Sequence, residues 1–329
     1  VSPTFDLVGQ DGLYPVGLKV TNPDGEFDID ETTVTVNNVA PTVDLNSDAP
    51  KDEGSTVTVN GVATDPGWLD PLSGTIDWAD GSPVESLGGA LENDPPDATL
   101  TFEKTHVYGD NGNYNVEVCV SDDDTTTCET IVLQIDNVPP TVTIDDGQVM
   151  VIDEGDFVDV LAHFSDPGWL DTYSSLIDWG TAESEPGSLV VTVEGPPEDQ
   201  GTVSGTHQYG DNYVYEVAVS VTDDDSGVGT ASFDLTVNNV DPTAEIDESG
   251  TILINGIPTF LAHAGDPLDF YGRSTDPGSD DLHLSWDWDD GPPVPDVTTI
   301  YLVNPPLPDP LPSPSAVSYT HLTLPTTPY

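Results

Sequence analysis

The chain has 329 residues, of which 61 are Asp or Glu and four are basic (Lys19, Lys51, Lys104, Arg273), for a formal net charge of −57. Such a surface is repelled by nucleic acid and by anionic membranes and attracts cations, which excludes the first two as partners. Six Trp, 11 Tyr and regularly spaced apolar residues argue against a disordered body, and no apolar run approaches transmembrane length.

Residues 1–40 read as the back part of a module. Leu13 to Val20 alternates as a half-buried strand, Asn22-Pro23-Asp24-Gly25 is turn chemistry, and Thr33 to Val36 is the next strand. With no starting Met and a first residue already inside a repeat, the chain is expected to be a fragment of a longer protein.

A first full module spans 41–139. Val43 to Leu45 opens it, and Glu53-Gly54 makes a turn. Thr56 to Val62 alternates as a strand, and a loop at 65–73 leads to a strand ending at Trp78. Asp80-Gly81 is a hairpin signal. Leu100 to Phe102 begins a strand that closes at Thr105-His106-Val107-Tyr108-Gly109. Tyr114, Val116, Val118 and Val120 then share one strand face, Asp122-Asp123-Asp124 turns the chain, and Ile131, Leu133 and Ile135 share a face of the last strand. About seven short strands with no helical period predict a β-sandwich.

The module returns at 140–241. Asp65-Pro66-Gly67-Trp68-Leu69-Asp70 reappears 101 residues on as Asp166 to Asp171, and Ile76-Asp77-Trp78 as Ile177-Asp178-Trp179. A looser copy, Asp276-Pro277-Gly278 leading to Trp286-Asp287-Trp288, marks a truncated module at 242–300. Stiff proline junctions separate the units at Pro41, Pro140 and Pro242. Residues 301–329 are Pro-rich and expected to be disordered. Their end, Val317 to Thr326, resembles translated sequencing-adapter sequence and is set aside.

Three features together resemble the PKD (polycystic kidney disease) domain family. They are the Trp-Asp-Trp-Asp-Asp-Gly core at 286–291 with its relative at 76–81, the Thr-His…Tyr…Gly-x-Tyr-x-Val-x-Val run at 105–118, and the Asn-Asn-Val-Ala-Pro-Thr-Val junction at 37–43. The second module departs from the pattern at Gly180-Thr181-Ala182-Glu183, so its hairpin is expected to differ. The resemblance implies an all-β chain of tandem Ig-like sandwiches of about seven strands each, arranged as an elongated rod. It also implies extracellular, non-catalytic modules used in adhesion, as spacers, or beside the catalytic domains of secreted hydrolases and proteases. Some relatives attached to bacterial collagenases bind calcium.

Paired acids at 65/70, 77/80 and 166/171 could suggest a glycosidase pair, but a catalytic pair is needed once and these recur in each module. The blander reading makes Asp-Pro-Gly a turn and the tryptophans core. Calcium is the sharper reading. In an Ig-like sandwich the loop at 65–70 lies at the same end as the acidic turn. Asp65 and Asp70 are therefore placed near Asp122, Asp123 and Asp124, and Asp166 and Asp171 near Asp223, Asp224 and Asp225, against the alternative of a solvated acidic rim. His106 and His207 occupy equivalent strand ends and read as satisfied structural residues; without a Cys/His cluster zinc is not expected. Cys119 and Cys128, both out of phase with the inward-facing residues, point outward on neighbouring strands and are expected to form a cross-strand disulfide, as suits an oxidising compartment.

The expected function is a non-catalytic module array of a larger secreted or surface protein, a spacer or a binder of extracellular protein or polysaccharide, with calcium as its cofactor and no membrane insertion in this stretch. The alternative is the accessory region of a secreted hydrolase or protease.

Overall fold

The computed structural model describes residues 9–263, 272–280, 282–284 and 300–302, all in strands, turns and loops. The motif at Trp286 to Gly291 and the Pro-rich tail from 303 onward lie outside the described residues. Among the described residues no helix is long and apolar enough to cross a membrane.

The chain opens with a hairpin, β1 (Gly12–Thr21) and β2 (Phe27–Val36). The first complete module follows with β3 (Thr42–Ser47), β4 (Lys51–Asp52), β5 (Thr56–Asp65), β6 (Ser73–Asp77), β7 (Glu85–Ser86), β8 (Ala90–Asp94), β9 (Asp97–Val107), β10 (Gly112–Ser121) and β11 (Thr126–Asp136). One sheet has the order β3-β5-β9-β8 and the other β4-β11-β10-β6-β7, a two-sheet sandwich. Two two-residue edge strands and β8 bring the strand count to nine, above the seven that alternation alone marks.

The second module repeats this arrangement element for element: β12 (Thr141–Ile144), β13 (Val151–Asp153), β14 (Phe157–Asp166), β15 (Ser174–Asp178), β16 (Ser184–Glu185), β17 (Ser188–Val193), β18 (Asp199–Gln208), β19 (Val214–Thr222) and β20 (Val228–Asn238). Its sheets run β12-β14-β18-β17 and β13-β20-β19-β15-β16. Beyond it Thr243–Ile246 pairs with Gly272–Thr275, and Ile252–Ile254 with Ile257–Thr259. Ile246, Ile252, Leu253 and Ile257 are exposed there, so these pairs bury little of their apolar surface.

Period-2 alternation decides which side chains make the cores. In the first module Val57, Val59 and Ala63 of one sheet face Ile76, Val116, Val118, Val120 and Leu133 of the other. Val158, Val160, Ala162, Val217, Val219, Val221 and Leu235 do the same in the second. Each core holds one large anchor, Trp78 or Trp179, fixed at three points. Its indole N–H donates to Glu85 or Glu185 at 3.1 and 2.9 Å. Its carbonyl accepts from the buried hydroxyl of Tyr108 or Tyr209 at 2.9 and 2.8 Å. Its ring stacks on His106 or His207 with centroids 4.7 and 4.9 Å apart. The two histidines are thus structural partners of the anchor. The second hairpin does differ: the loop from Asp178 to Ser184 is shorter than that from Asp77 to Glu85, yet the tryptophan keeps its glutamate.

Cys119 and Cys128 are register partners on the outer face of β10 and β11 and are joined by a disulfide. The bridge closes a loop with a sequence separation of 9, and loop-entropy arguments for that length give about 2–3 kcal/mol. Replacing both cysteines by Ala should lower the unfolding free energy of the first module by about that amount, read from denaturant unfolding. The second module carries the register partners Ser220 and Thr230 in place of a bridge and should unfold at an unchanged midpoint in the same scan.

Candidate metal centre at the module joint

Every residue of the repeated Asp-Pro-Gly-Trp-Leu-Asp loop has a task, and most of the tasks concern the preceding module. Asp166 Oδ1 accepts the Gly168 N–H at 2.8 Å, closing the turn, as Asp65 does for Gly67 at 2.5 Å and Asp276 for Gly278 at 2.7 Å. Pro167 lies against Gly54 of the first module, where a Cβ would sit 2.5 Å from the proline Cβ. Gly54 also has φ of +70°, a conformation that glycine adopts without strain. Trp169 covers Gly109, whose absent side chain leaves room for the indole, and the Leu170 N–H donates to the Gly109 carbonyl at 3.0 Å.

The contact recurs. At the preceding boundary the Leu69 N–H donates to the Gly9 carbonyl at 2.7 Å, with Trp68 against Gly9. At the following one the Ser279 N–H donates to the Gly210 carbonyl at 2.5 Å, with Pro277 against Gly155. Trp68 and Trp169, read from the sequence as core residues alongside Trp78 and Trp179, are therefore corrected to joint residues. They are half-buried, and what they cover belongs to the neighbouring module.

The joint also buries carboxylates. Glu53 Oε1 accepts the N–H of Val138 in the junction segment at 2.7 Å, and Glu154 does the same for Val240 at 2.8 Å. Glu53 then meets Asp166 and Asp171 of the second module, with ligand oxygens all within 4.8 Å of one another. Asp110, Asp171 and Asp225 form an overlapping group, and Glu154, Asp276 and Asp280 form the counterpart at the next joint. Glu53, Asp166 and Asp171 are only 1%, 0% and 8% exposed. Glu53 Oε2, Asp166 Oδ2 and both oxygens of Asp171 accept no hydrogen bond.

Burial and crowding raise these groups. Glu53 is pushed up to about 7 by burial, then by the charges of Asp166, Asp110 and Asp223, against the Val138 N–H, which lowers it. Asp171 rises to about 8 through burial and the charges of Glu53, Asp166 and Asp110. Asp166 rises to about 6 through burial despite its Gly168 bond. At the preceding joint burial and the charges of Asp123, Asp65 and Asp11 raise Asp70 to about 6.

These shifts have one sign. A carboxyl raised in the folded chain keeps a proton that the unfolded chain releases, so the stabilisation is full below the unfolded value near 4 and is lost as pH climbs through the folded values. In EGTA at fixed ionic strength the melting temperature should fall between pH 5 and pH 8.5; an equal or higher value at pH 8.5 would contradict the burial of these groups.

The structure redistributes the residues expected from the sequence. Asp65 and Asp70 do lie beside Asp122 and Asp123. Asp122, however, is occupied as a cap, accepting the N–H groups of Asp124 and Thr125 at 2.8 and 2.5 Å and the Asn38 amide at 3.0 Å. Asp223 is likewise occupied, by Gly227 N–H at 2.7 Å and the Asn137 amide at 3.1 Å. Both hold the junction segment to the acidic turn. Asp224 accepts the Thr172 N–H at 2.9 Å, Asp123 is exposed, and Asp124 faces Asp11. Among the ten expected acids, Asp166, Asp171 and Asp225 join the clusters of the described residues. Glu53, Asp110, Glu154, Asp276 and Asp280 were missed. Their signal was present: Asp-Glu-Gly and Tyr-Gly-Asp recur at the same 101-residue spacing as the tryptophans.

The observed class is a tandem array of all-β, Ig-like sandwiches joined end to end by a repeated loop. The PKD domain family model matches residues 38–136 of the chain. No curated protein matches the chain. Among solved structures it is similar to Rst D1–D2, at 12% identity over 59% of this chain and 99% of that one, with a TM-score of 0.35. It is also similar to an ICAM-5 D1–D4 ectodomain fragment, at 11% identity over 96% of this chain and 84% of that one, with a TM-score of 0.35. A chimeric titin tandem aligns at 14% identity over 59% of this chain and 100% of that one, with a TM-score of 0.20.

Proposed function

We propose that the chain is a stack of non-catalytic extracellular modules that acts as a stiff spacer within a larger secreted or surface protein. The PKD domain match supports the non-catalytic extracellular kind of module. The spacer role rests on one observation: each joint surface sits at an opposite end of the same strand. Gly54 and Glu53, which receive the following module, precede β5, and Asp65, which begins the loop docked on the preceding one, ends it. A ten-residue strand spans about 33 Å, so the two docking surfaces are separated by the length of the sandwich and successive modules extend the stack.

Small-angle scattering from the full chain tests it. A rod-like cross-section with a radius of gyration well above the roughly 20 Å of a compact globule of this length is the expected result. A value near that of the globule would reject the spacer.

A further inference from the structure

We infer that the joint between the two complete modules is a binding site for a hard divalent cation of the calcium class, shared by both modules and made by Glu53 of one and Asp166 and Asp171 of the other. The inference goes beyond the spacer role, because cation binding at this place would hold whatever the array carries.

Two independent observations support it. The first is geometric: the three side chains come from different modules, yet their oxygens lie within 4.8 Å of one another. The second is chemical. Each of the three is more than nine-tenths buried, and Glu53 Oε2, Asp166 Oδ2, Asp171 Oδ1 and Asp171 Oδ2 face into the group with no donor. Buried carboxylate oxygens are ordinarily paired, and one left bare costs the desolvation of its charge. The three lysines are engaged elsewhere. Lys51 is held by Asp48 at 3.2 Å and Lys104 by Glu85 at 3.8 Å, while Lys19 sits over the Phe27 ring.

The donor set selects the ion. All three inner ligands are carboxylates, with no nitrogen or sulfur, which favours calcium over zinc or copper. Calcium takes six to eight oxygens and tolerates mono- or bidentate carboxylates, so three carboxylates and water satisfy it. Asp110 and Asp225 flank the group. Asn111, with its amide nitrogen turned towards them, donates to Asp225 Oδ2 at 2.7 Å and Asp110 Oδ1 at 2.9 Å, so this outer pair has a partner that the inner three lack. The Glu154, Asp276 and Asp280 group repeats the same composition one module on.

A shared site differs in its consequences from the site expected within each module. Substituting an acid on either module should destroy the same ion, and an ion bound between modules ties them together. Titration of the full chain with calcium chloride, followed by calorimetry and by melting, distinguishes the alternatives. Wild-type protein should bind calcium and melt higher in millimolar calcium than in EGTA at equal ionic strength. Glu53→Gln and Asp171→Asn, on different modules, should each remove the same one ion per chain. Each should also melt above wild type in EGTA, since a crowded charge is gone, and lose most of the gain from calcium. Glu129→Gln, at an exposed position of β11 away from the joint acids, should behave as wild type. Wild-type protein without a calcium-dependent shift would overturn the inference. An unchanged ion count in Glu53→Gln would overturn it equally, by placing any bound calcium within a module. Should Asp171→Asn fail to fold, Glu53→Gln decides alone, because its ligand lies on the module that contributes no other inner acid.

Discussion

Trp179→Ala should destabilise the second module by about 3–5 kcal/mol, the range for removing a fully buried tryptophan from a packed core. The ring is almost fully buried, and its loss leaves Glu185 without its donor and His207 without its stacking partner, while the backbone carbonyl that accepts from Tyr209 remains. Far-UV circular dichroism in a denaturant series on the full chain should show one transition moved and the first module's left in place. Trp169→Ala is the informative contrast. Both tryptophans belong to the same repeat, but Trp169 packs on Gly109 of the neighbouring module, so its removal should cost the second module's core little. Equal losses from the two substitutions would mean that Trp169 is a core residue after all.

Gly109→Ala should uncouple the two complete modules while leaving each one folded. Gly109 is buried beneath Trp169, and an added Cβ would come within 2.3 Å of the indole. A rigid ring cannot yield that distance as the tip of a flexible side chain could, so the docked loop must shift. Overpacking of this kind costs about 1–3 kcal/mol, charged here to the joint. The Leu170 bond to the Gly109 carbonyl should weaken with it. In native-state hydrogen exchange, the Leu170 amide should lose protection in the variant while amides of β5 and β14 keep theirs.

The strands were legible because alternation reports the side a residue takes within its own sheet: Val116, Val118 and Val120 face inward, and Cys119 between them faces out beside Cys128. The loop arrangement of an Ig-like sandwich placed the acidic turn beside Asp65 and Asp70. It missed β8, where Glu92 and Asn93 interrupt the pattern and pairing to β9 supplies the order. It also assigned Trp68 and Trp169 to the core, because an aromatic beside a turn looks alike whether it is covered by its own module or by another. Glu53 shows the limit most clearly. Its sequence context, Asp-Glu-Gly, is that of an ordinary turn, and its burial depends on Asp166 and Asp171 more than a hundred residues away. The calcium ligands expected from within one module divide for the same reason. Asp122 and Asp223 are taken by the turn and by Asn38 and Asn137, and the vacant oxygens lie across the joint.

The docked joint is tested most directly by the distance between two spin labels, one on each module, at Glu103→Cys and Val190→Cys in the full chain. Both positions are exposed on outer sheet surfaces, and the native cysteines are occupied by their disulfide. Pulsed electron resonance should give one narrow distance distribution in wild-type background, broadened by Gly109→Ala. A broad distribution in the wild-type background, unchanged by Gly109→Ala, would show that the modules swing freely and that the repeated loop does not fasten them.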